Sequence, residues 1–366
     1  MHPGRPTVTS TAAAPPAPTI ERIEEIVAPY GITHVGVASA DVLADTRTVL
    51  HDRKALGLHD GMQFTYRNPD RSTEPQRAVP GAQSVLVAAR PYLTDVDPEP
   101  PATGVSARVG RYAWVDHYAE LRRGLRVAAV EIEAAGYRSL VFADDNSLVD
   151  RAIAHRAGLG WFGKNANLLV PGRGSFFVLG SIITTAPYAP NESPASDGCG
   201  SCVRCLDGCP TTAIIAPGVI DGARCLSWVL QKPGPIPVEF REAVHDRIYG
   251  CDDCQDVCPI SVRLGRRNTV DLDAVESEVQ AHVDVLELLD LDDATIEARY
   301  GRWWIAGREM RWLRRNALIV IGNVADPHDR SVRSTVERYR ADDDPILAEH
   351  ASWAHDRLDQ RAATST

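Results

Sequence analysis

The chain has 366 residues, 44% of them hydrophobic and 24% charged, which is enough for two or three domains with buried cores and excludes a disordered protein. No apolar stretch approaches the ~18 residues that a membrane span needs, and residues 1 to 19, rich in Pro, Ala and Thr, lack the apolar segment of a signal peptide. The net charge of −10 argues against a protein that coats nucleic acid indiscriminately. We therefore expect a cytoplasmic protein with a flexible tail and no membrane contact.

Residues 20 to 190 combine helix and strand patterns and predict an N-terminal α/β domain. Strands are predicted at four places: from Thr33, from Ser84, from Tyr137 to Asp144, and from Ser175. Helices are predicted over residues 20 to 29 and 118 to 135. Ser147 and Asp150 have the spacing of a capping box, which predicts a further helix that ends at Gly158. Pro, Ser and Asn collect between Pro187 and Ser196 and indicate a linker.

Three glycines, Gly158, Gly160 and Gly163, spell the dinucleotide-binding pattern G-x-G-x-x-G. That pattern requires a strand before it, a helix after it and an acidic residue about 20 positions further on, to bind the ribose. Here a helix precedes it, and no acidic residue follows before Asn191. We therefore expect these glycines to form a tight turn that lines a different ligand pocket.

All eight cysteines lie between Cys199 and Cys258, which predicts metal binding rather than disulfides in a chain without an export signal. The spacing C-x2-C-x2-C-x3-C-P is that of bacterial ferredoxins, in which the fourth cysteine ligates the other cluster. The same exchange predicts a first cysteine set and a second cysteine set, each holding one [4Fe–4S] cluster: Cys199, Cys202, Cys205 and Cys258, then Cys209, Cys225, Cys251 and Cys254. Zinc or a single cluster is the alternative.

The remaining residues, 271 to 366, are predicted to be helical. Helices are expected at about 286 to 297, 309 to 322, 329 to 340 and 345 to 360, in a pattern like an α-solenoid repeat. Residues 299 to 316, the arginine-rich segment, contain six arginines and one glutamate. This predicts either a surface that faces nucleic acid or a solvated helix face. The fold class is thus α+β, with an N-terminal domain over 20–190, a ferredoxin-like domain over 191–270 and a helical domain over 271–366.

Asp144 follows a strand and precedes a helix, where open α/β sheets place ligand-facing groups. It is a candidate proton donor; the alternative is that Asp144 or Asp145 caps the following helix. Ferredoxin-type clusters deliver single electrons at low potential, so they predict an oxidoreductase with a second cofactor. The residues alone leave corrinoid and flavin open.

Several motifs together resemble the epoxyqueuosine reductase family, over about residues 20 to 260. They are the two cysteine motifs including GCDDCQDVCP, the D-x5-D-R pattern from Asp144 to Arg151, RAGLGWFGKN and GSFFVLGSIITT. The helical repeats of that family have a weaker counterpart in the C-terminal segment, which is therefore expected to be HEAT-like.

The resemblance implies cobalamin held between the N-terminal domain and the clusters and reduced to cob(I)alamin. It implies a tRNA partner that carries epoxyqueuosine in the anticodon, an external low-potential electron donor and a monomeric chain. By the same resemblance Asp144 is the proton donor. The implied cobalamin contacts are Arg71, Gly110, Asp144, Leu168, Leu179 and Gln231.

Two other functions compete with tRNA reduction. One is a related corrinoid reductase that acts on a small molecule, as reductive dehalogenases do, and the other is a non-catalytic electron-transfer protein. The arginine-rich segment favours tRNA. Asp145, Asn146 and Ser147 depart from the family pattern after the aspartate, which leaves open whether the substrate differs. The electron donor, the tRNAs recognised and the oligomeric state are also open.

Overall fold

A four-stranded sheet organises the N-terminal half of the computed structural model, which describes residues 16–191, 195–265, 269–270 and 279–364. The strands of the described residues are β1 His34–Ser39, β2 Ser84–Pro91, β3 Ser106–Val109, β4 Ser139–Ala143, β5 Trp161–Phe162, β6 Leu168–Leu169, β7 Phe177–Thr184, β8 Ile214–Ala216, β9 Val219–Ile220, β10 Arg247–Tyr249 and β11 His282–Asp284. The main sheet has the order β1-β2-β7-β4, and every neighbouring pair is antiparallel. Because an α/β domain is built on a parallel sheet, the α/β label expected for the N-terminal domain is wrong, and the domain is itself α+β.

Helices cover both faces of this sheet and form the C-terminal part. In the described residues they are α1 Ile20–Val27, α2 Ala44–Ala55, α3 Pro69–Ser72, α4 Pro75–Ala78, α5 His117–Ala134, α6 Asp150–Arg156, α7 Arg204–Asp207, α8 Leu226–Val229, α9 Val238–Val244, α10 Asp253–Asp256, α11 Pro259–Gly265, α12 Val285–Asp290, α13 Asp293–Tyr300, α14 Arg311–Val324, α15 Arg330–Arg340 and α16 Pro345–Thr364. Apolar residues of α1 and α5 pack with Leu86 and Ile182 on one face of the sheet. Residues of α6 pack with Val85 and Val87 on the other. Strands β2 and β7 are therefore buried on both faces.

The predicted tail and linker are both attached to the fold where the structure describes them. Thr19 caps α1 by accepting a hydrogen bond from the Arg22 amide at 3.2 Å, and Ala17 packs against the core. Residues 1–15 of the tail lie outside the described residues. In the linker, the Val37 amide donates to Oδ1 of Asn191 at 2.7 Å. Residues 192–194 of the linker are likewise outside the described part.

The C-terminal helices agree with the sequence pattern except at one point. The predicted helix over 286 to 297 is divided into α12 and α13, because Asp292 begins a new helix by accepting from the Thr295 amide at 2.7 Å. Helix α14 is buried nearly all round, and its Ile319 packs with Leu226 and Val229 of the cysteine region. The helical segment is thus joined to the cysteine region by a shared core. A HEAT-like repeat stays a prediction.

The predicted glycine turn is confirmed only in part, because Gly158 follows the end of α6, Gly160 and Gly163 flank β5, and of the three only Gly163 lines a cavity. A Cβ atom at Gly160 would lie 2.2 Å from the carbonyl oxygen of Leu169, so only glycine lets β5 and β6 approach this closely. Gly163 lies in the same hairpin and lines a large cavity. Of the helices in the described chain, none has the length and apolar character to cross a membrane.

A candidate active site between the sheet and the cysteine region

The eight thiols fall into two groups of four. Burial raises the pKa of the Cys205 thiol, and three neighbouring thiols raise it further: Cys258, Cys199 and Cys202. Burial also raises the pKa of Cys254, and here the neighbouring thiols are Cys251, Cys225 and Cys209. The structure therefore brings together the same two sets that the ferredoxin exchange predicts.

The separation of the sulfurs in both sets suits iron–sulfur clusters better than a single zinc ion. Tetrahedral zinc, with bonds of ~2.3 Å, needs its sulfurs within about 4 Å of one another. In the described part of the chain, no three His, Cys, Asp or Glu side chains lie close enough to hold one ion. A cubane separates its four thiolates more widely. The Ala213 amide donates to Sγ of Cys209 at 3.2 Å, a contact of the kind that tunes cluster potentials.

A cavity of about 1160 Å³ lies between the main sheet and the cysteine region. We call it the central cavity. Among the described residues that line it are all four thiols of the second cysteine set and none of the first. The first set lies nearer the surface, where Cys202 is exposed. The second set is therefore the one next to any bound ligand.

Asp144 lines the central cavity from the loop that joins β4 to α6, residues 144–149, here called the Asp144 loop. Its φ of 55° lies in the left-handed region, which is uncommon outside glycine and recurs at functional sites. The residue is accessible because it faces the cavity, yet enough protein surrounds its carboxyl group for burial to raise its pKa. Arg122 opposes this rise, and Asp116 and Asp145 add to it. A carboxyl that keeps its proton more readily than usual thus faces the cavity.

The structure contradicts the capping interpretations of this loop. Helix α6 begins at Asp150 with Val149 as its N-cap, and no side chain caps it. Oδ1 of Asp145 accepts instead from the Ser147 amide at 2.7 Å, which is a local turn. The Ser147 hydroxyl accepts from Arg71 at 2.9 Å. The predicted capping box is therefore wrong, and neither aspartate caps α6.

The predicted cobalamin contacts divide into two groups. Asp144, Leu168, Leu179 and Gln231 all line the central cavity, and Nε2 of Gln231 donates to the Tyr112 hydroxyl at 3.0 Å. Arg71 and Gly110 are not among the described lining residues. Arg71 instead holds the Asp144 loop through Ser147. A Cβ at Gly110 would lie 3.2 Å from Cα of Gly250, so this glycine allows two backbones to approach.

Sequence reasoning missed two residues of this site. Asp150 was interpreted as a capping-box partner, but it lines the cavity, and burial raises its pKa to about 8. Tyr118 lines the cavity from the start of α5, and its pKa is raised by burial and then by the charges of Asp144 and Asp150. The D-x5-D-R pattern, whose second aspartate is Asp150, could have identified this residue from the sequence. No local pattern pointed to Tyr118.

The arginine-rich segment does not form the open basic surface that its composition predicted. Arg315 is 0% exposed and donates to the carbonyls of Lys232 at 2.9 Å and Leu230 at 3.2 Å. Four of the other arginines form ion pairs with acidic side chains: Arg299 with Glu287, Arg308 with Glu297, Arg311 with Asp344 and Arg314 with Asp293. Arg302 donates to Oε1 of Gln280 at 2.7 Å. Both interpretations of this segment, the nucleic-acid surface and the solvated face, are wrong for Arg315.

Comparisons with known proteins agree with this geometry. Residues 198–261 match the family model of the 4Fe-4S double cluster binding domain. An epoxyqueuosine reductase from Xanthomonas campestris pv. campestris is 36% identical over 94% of this chain and 98% of its own length. A crystal structure of epoxyqueuosine reductase with a tRNA-Tyr epoxyqueuosine-modified stem loop has a TM-score of 0.82 and 28% identity, covering 92% of this chain and 89% of that one. A structure of the Bacillus subtilis enzyme, with an aspartate-bearing catalytic loop swung out of the active site, has a TM-score of 0.81 and 27% identity, covering 92% and 90%.

Proposed function

This chain belongs to the epoxyqueuosine reductase family of oxidoreductases, and we propose that it reduces epoxyqueuosine at the wobble position of tRNA to queuosine, the last step of queuosine biosynthesis. One observation carries the proposal. The central cavity is lined by Asp144 and by all four thiols of the second cysteine set. A proton donor and a source of electrons therefore meet at one ligand site, as the reduction of an epoxide requires.

Each cysteine set would hold one [4Fe–4S] cluster. When loaded, such clusters supply single electrons at low potential. We expect an external low-potential donor to approach the first set, because Cys202 is exposed there. Electrons would pass from the second set to the bound cofactor, since its cysteines line the cavity. We expect the chain to work as a monomer.

The residues of the central cavity fit cobalamin. Its volume of about 1160 Å³ exceeds the usual ~300 to 1,000 Å³ of a small-molecule site. His59 and Asp150 are among the residues that line it, and Nδ1 of His59 and Oδ1 of Asp150 are buried without a hydrogen-bond partner in the described structure, which leaves polar capacity beside the cavity. Leu168, Leu179 and Gln231 would contact the macrocycle. Bound cobalamin, reduced to cob(I)alamin, supplies a strongly nucleophilic cobalt.

The Asp144 carboxyl would supply a proton as the epoxide opens. Breaking the C–O bond places negative charge on the ring oxygen, so a neutral acid beside that oxygen lowers the barrier. The raised pKa of Asp144 increases the fraction that holds a proton near neutral pH. The catalytic aspartate loop named for the Bacillus subtilis enzyme supports this assignment.

We propose that tRNA phosphates contact the rim of the cavity rather than the arginine-rich segment. Arg53, Arg151 and Lys164 line the cavity and donate to the backbone carbonyls of Gly218, Ala166 and Gly200. Within the described residues none of the three forms an ion pair at contact distance, although Arg151 lies near enough to Asp150 to lower its pKa. We expect Lys164→Gln to weaken tRNA binding and flatten its salt dependence. Arg314→Gln, in the arginine-rich segment, is the matched control.

Nucleoside analysis of tRNA tests the function directly. A strain that lacks this protein should accumulate epoxyqueuosine and lose queuosine, and the parent chain should restore queuosine. The Asp144→Asn chain should restore little. Unchanged queuosine in the deletion strain would contradict the proposal and return attention to a corrinoid reductase that acts on a small molecule.

A further inference from the structure

A second carboxyl group, Asp150, faces the same cavity as Asp144. It is the first residue of α6, and no donor or acceptor in the described structure reaches its buried Oδ1. The accessible part of the residue borders the central cavity. A purely structural aspartate in the first turn of a helix would keep its carboxyl oxygens in solvent or paired, whereas this carboxyl has a buried oxygen without a partner. That arrangement is costly unless the group serves a ligand or holds a proton.

The groups around Asp150 favour its neutral form. The pKa of Asp150 is raised to about 8, mainly by burial and then by the charge of Asp144; Arg151 lowers it and Asp145 adds a smaller rise. Tyr118, from α5, is close enough to both Asp144 and Asp150 that their charges raise its pKa. Near neutral pH the site therefore contains a protonated Asp150 and a protonated tyrosine hydroxyl beside Asp144.

The proposed reaction consumes two protons. Conversion of an epoxide to an alkene takes up two electrons and two protons and releases one water molecule. The first proton goes to the ring oxygen as one C–O bond breaks, and the second converts the resulting hydroxyl into water as the other C–O bond breaks. The single Asp144 carboxyl holds only one of these protons at a time.

We propose that Asp150 stores the second proton and returns it, with the Tyr118 hydroxyl as its neighbour, to Asp144, so that one acid serves both C–O cleavages. This inference rests on the proposed reduction of an epoxide. Asp150 acts through Asp144 and is a positioning and proton-storing residue. The unsatisfied Oδ1, the shared cavity and the proton balance of the reaction carry the inference together.

The first test does not depend on turnover. Infrared spectra of the cluster-loaded protein, without cobalamin or tRNA, should show a carboxylic acid stretch that shifts in D2O and is lost as the pH rises through about 8. Asp150→Asn should remove this band. Asp145→Asn, the same change in the adjacent loop, should retain it. Asp144, whose pKa is also raised, can contribute an acid band of its own, so the diagnostic component is the one that titrates near pH 8. If that component persists in Asp150→Asn, or is absent from the parent, the proton store is overturned while the reductase function is left untouched.

The second test follows the rate against pH with pre-reduced enzyme in a single turnover. We expect Asp150→Asn to slow product formation by about 10- to 100-fold near pH 7 and to lose the decline of the parent above about pH 8. Tyr118→Phe should reproduce part of the loss. A variant with the parent rate and the parent pH profile would overturn the inference.

A stability measurement tests whether Asp150 holds its proton in the folded chain. The pKa of Asp150 is raised in the folded chain, so the unfolded chain loses this proton at a lower pH than the folded chain does. The acid therefore destabilises the fold increasingly between about pH 4 and pH 8. The melting temperature of Asp150→Asn relative to the parent should rise across that window. A constant deficit at every pH would indicate a purely structural residue and contradict the proposal.

Discussion

The Asp144 loop and helix α14 both place ionisable side chains inside the protein, with opposite results. Directly after the loop, at the first residue of α6, Asp150 has a buried oxygen without a hydrogen-bond partner among the described residues, and Asp144 of the loop lines the same cavity. In α14, Arg315 donates to the carbonyls of Val229, Leu230, Lys232 and Gly234 and to the side chain of Asn316. Asp150 thus keeps one buried oxygen without a partner, whereas the guanidinium of Arg315 is fully hydrogen-bonded.

This difference, taken together with the cavity, distinguishes Asp150 from Arg315 better than burial or charge does. Buried polar groups in folded proteins are nearly always hydrogen-bonded, so an exception requires an explanation. For the unpaired oxygen beside the Asp144 loop, the explanation is the ligand cavity that this region borders. Arg315, which composition alone assigned to a binding surface, is a fully bonded part of the core.

The substitution with the largest expected effect is Asp144→Asn. Asparagine tolerates the left-handed backbone of this position, so the change removes the transferable proton and preserves the loop. We expect a rate loss of ~100- to 10,000-fold in single turnovers with pre-reduced cofactor, which corresponds to about 3 to 5.5 kcal/mol. Cobalamin and tRNA affinity should change little. Turnover within a few-fold of the parent would remove Asp144 from the mechanism.

The corresponding substitution in α14 is Arg315→Met, which tests a structural rather than a catalytic role. It leaves several buried carbonyls without a donor, so we expect the free energy of unfolding to fall by about 3 to 5 kcal/mol, measured by urea denaturation. The folded fraction should bind tRNA with the parent's salt dependence. Weakened tRNA binding with parent-like stability would show that Arg315 contacts tRNA and is not a structural residue. The comparison between Asp150 and Arg315 would then fail.

The smallest effect is expected one residue away, at Arg314. Its partner Asp293 is 71% exposed, and exposed ion pairs contribute only about 0 to 1 kcal/mol. Arg314→Met should therefore cost less than about 1 kcal/mol in the same urea experiment. A double-mutant cycle with Asp293→Asn isolates the pair. A loss as large as that of Arg315→Met would show that position in the helix, rather than hydrogen bonding, sets the cost.

Local patterns predicted the elements and the cysteine sets well, since each depends on a short stretch of chain. Helices α1, α5, α14, α15 and α16 begin within two residues of their expected starts. The ferredoxin spacing predicted which thiols would gather, because two short motifs determine the exchange. Asp144 was already a candidate from its position after a strand, whereas Leu168, Leu179 and Gln231 were predicted as cavity residues only through the family resemblance.

Features that depend on distant partners could not be predicted in this way. The order β1-β2-β7-β4 joins strands far apart in the chain, so the antiparallel sheet was missed. Ser147 and Asp150 fit a capping box, but Arg71 of a remote helix binds the serine hydroxyl instead. For Arg315 one signal was available. The apolar run that follows Asn316, ALIVIG, indicates that this part of α14 is surrounded by protein.

The contacts of Arg315 also bear on when the active site is completed during synthesis. The carbonyls that it binds belong to the segment after Cys225, which closes one side of the central cavity. This segment leaves the ribosome before α14 has been made. Until α14 is made, the loop between Cys225 and Cys251 lacks the donors of Arg315 and Asn316. The binding site for the second cluster is therefore finished late, only once α14, near the C-terminal end of the chain, has been synthesised.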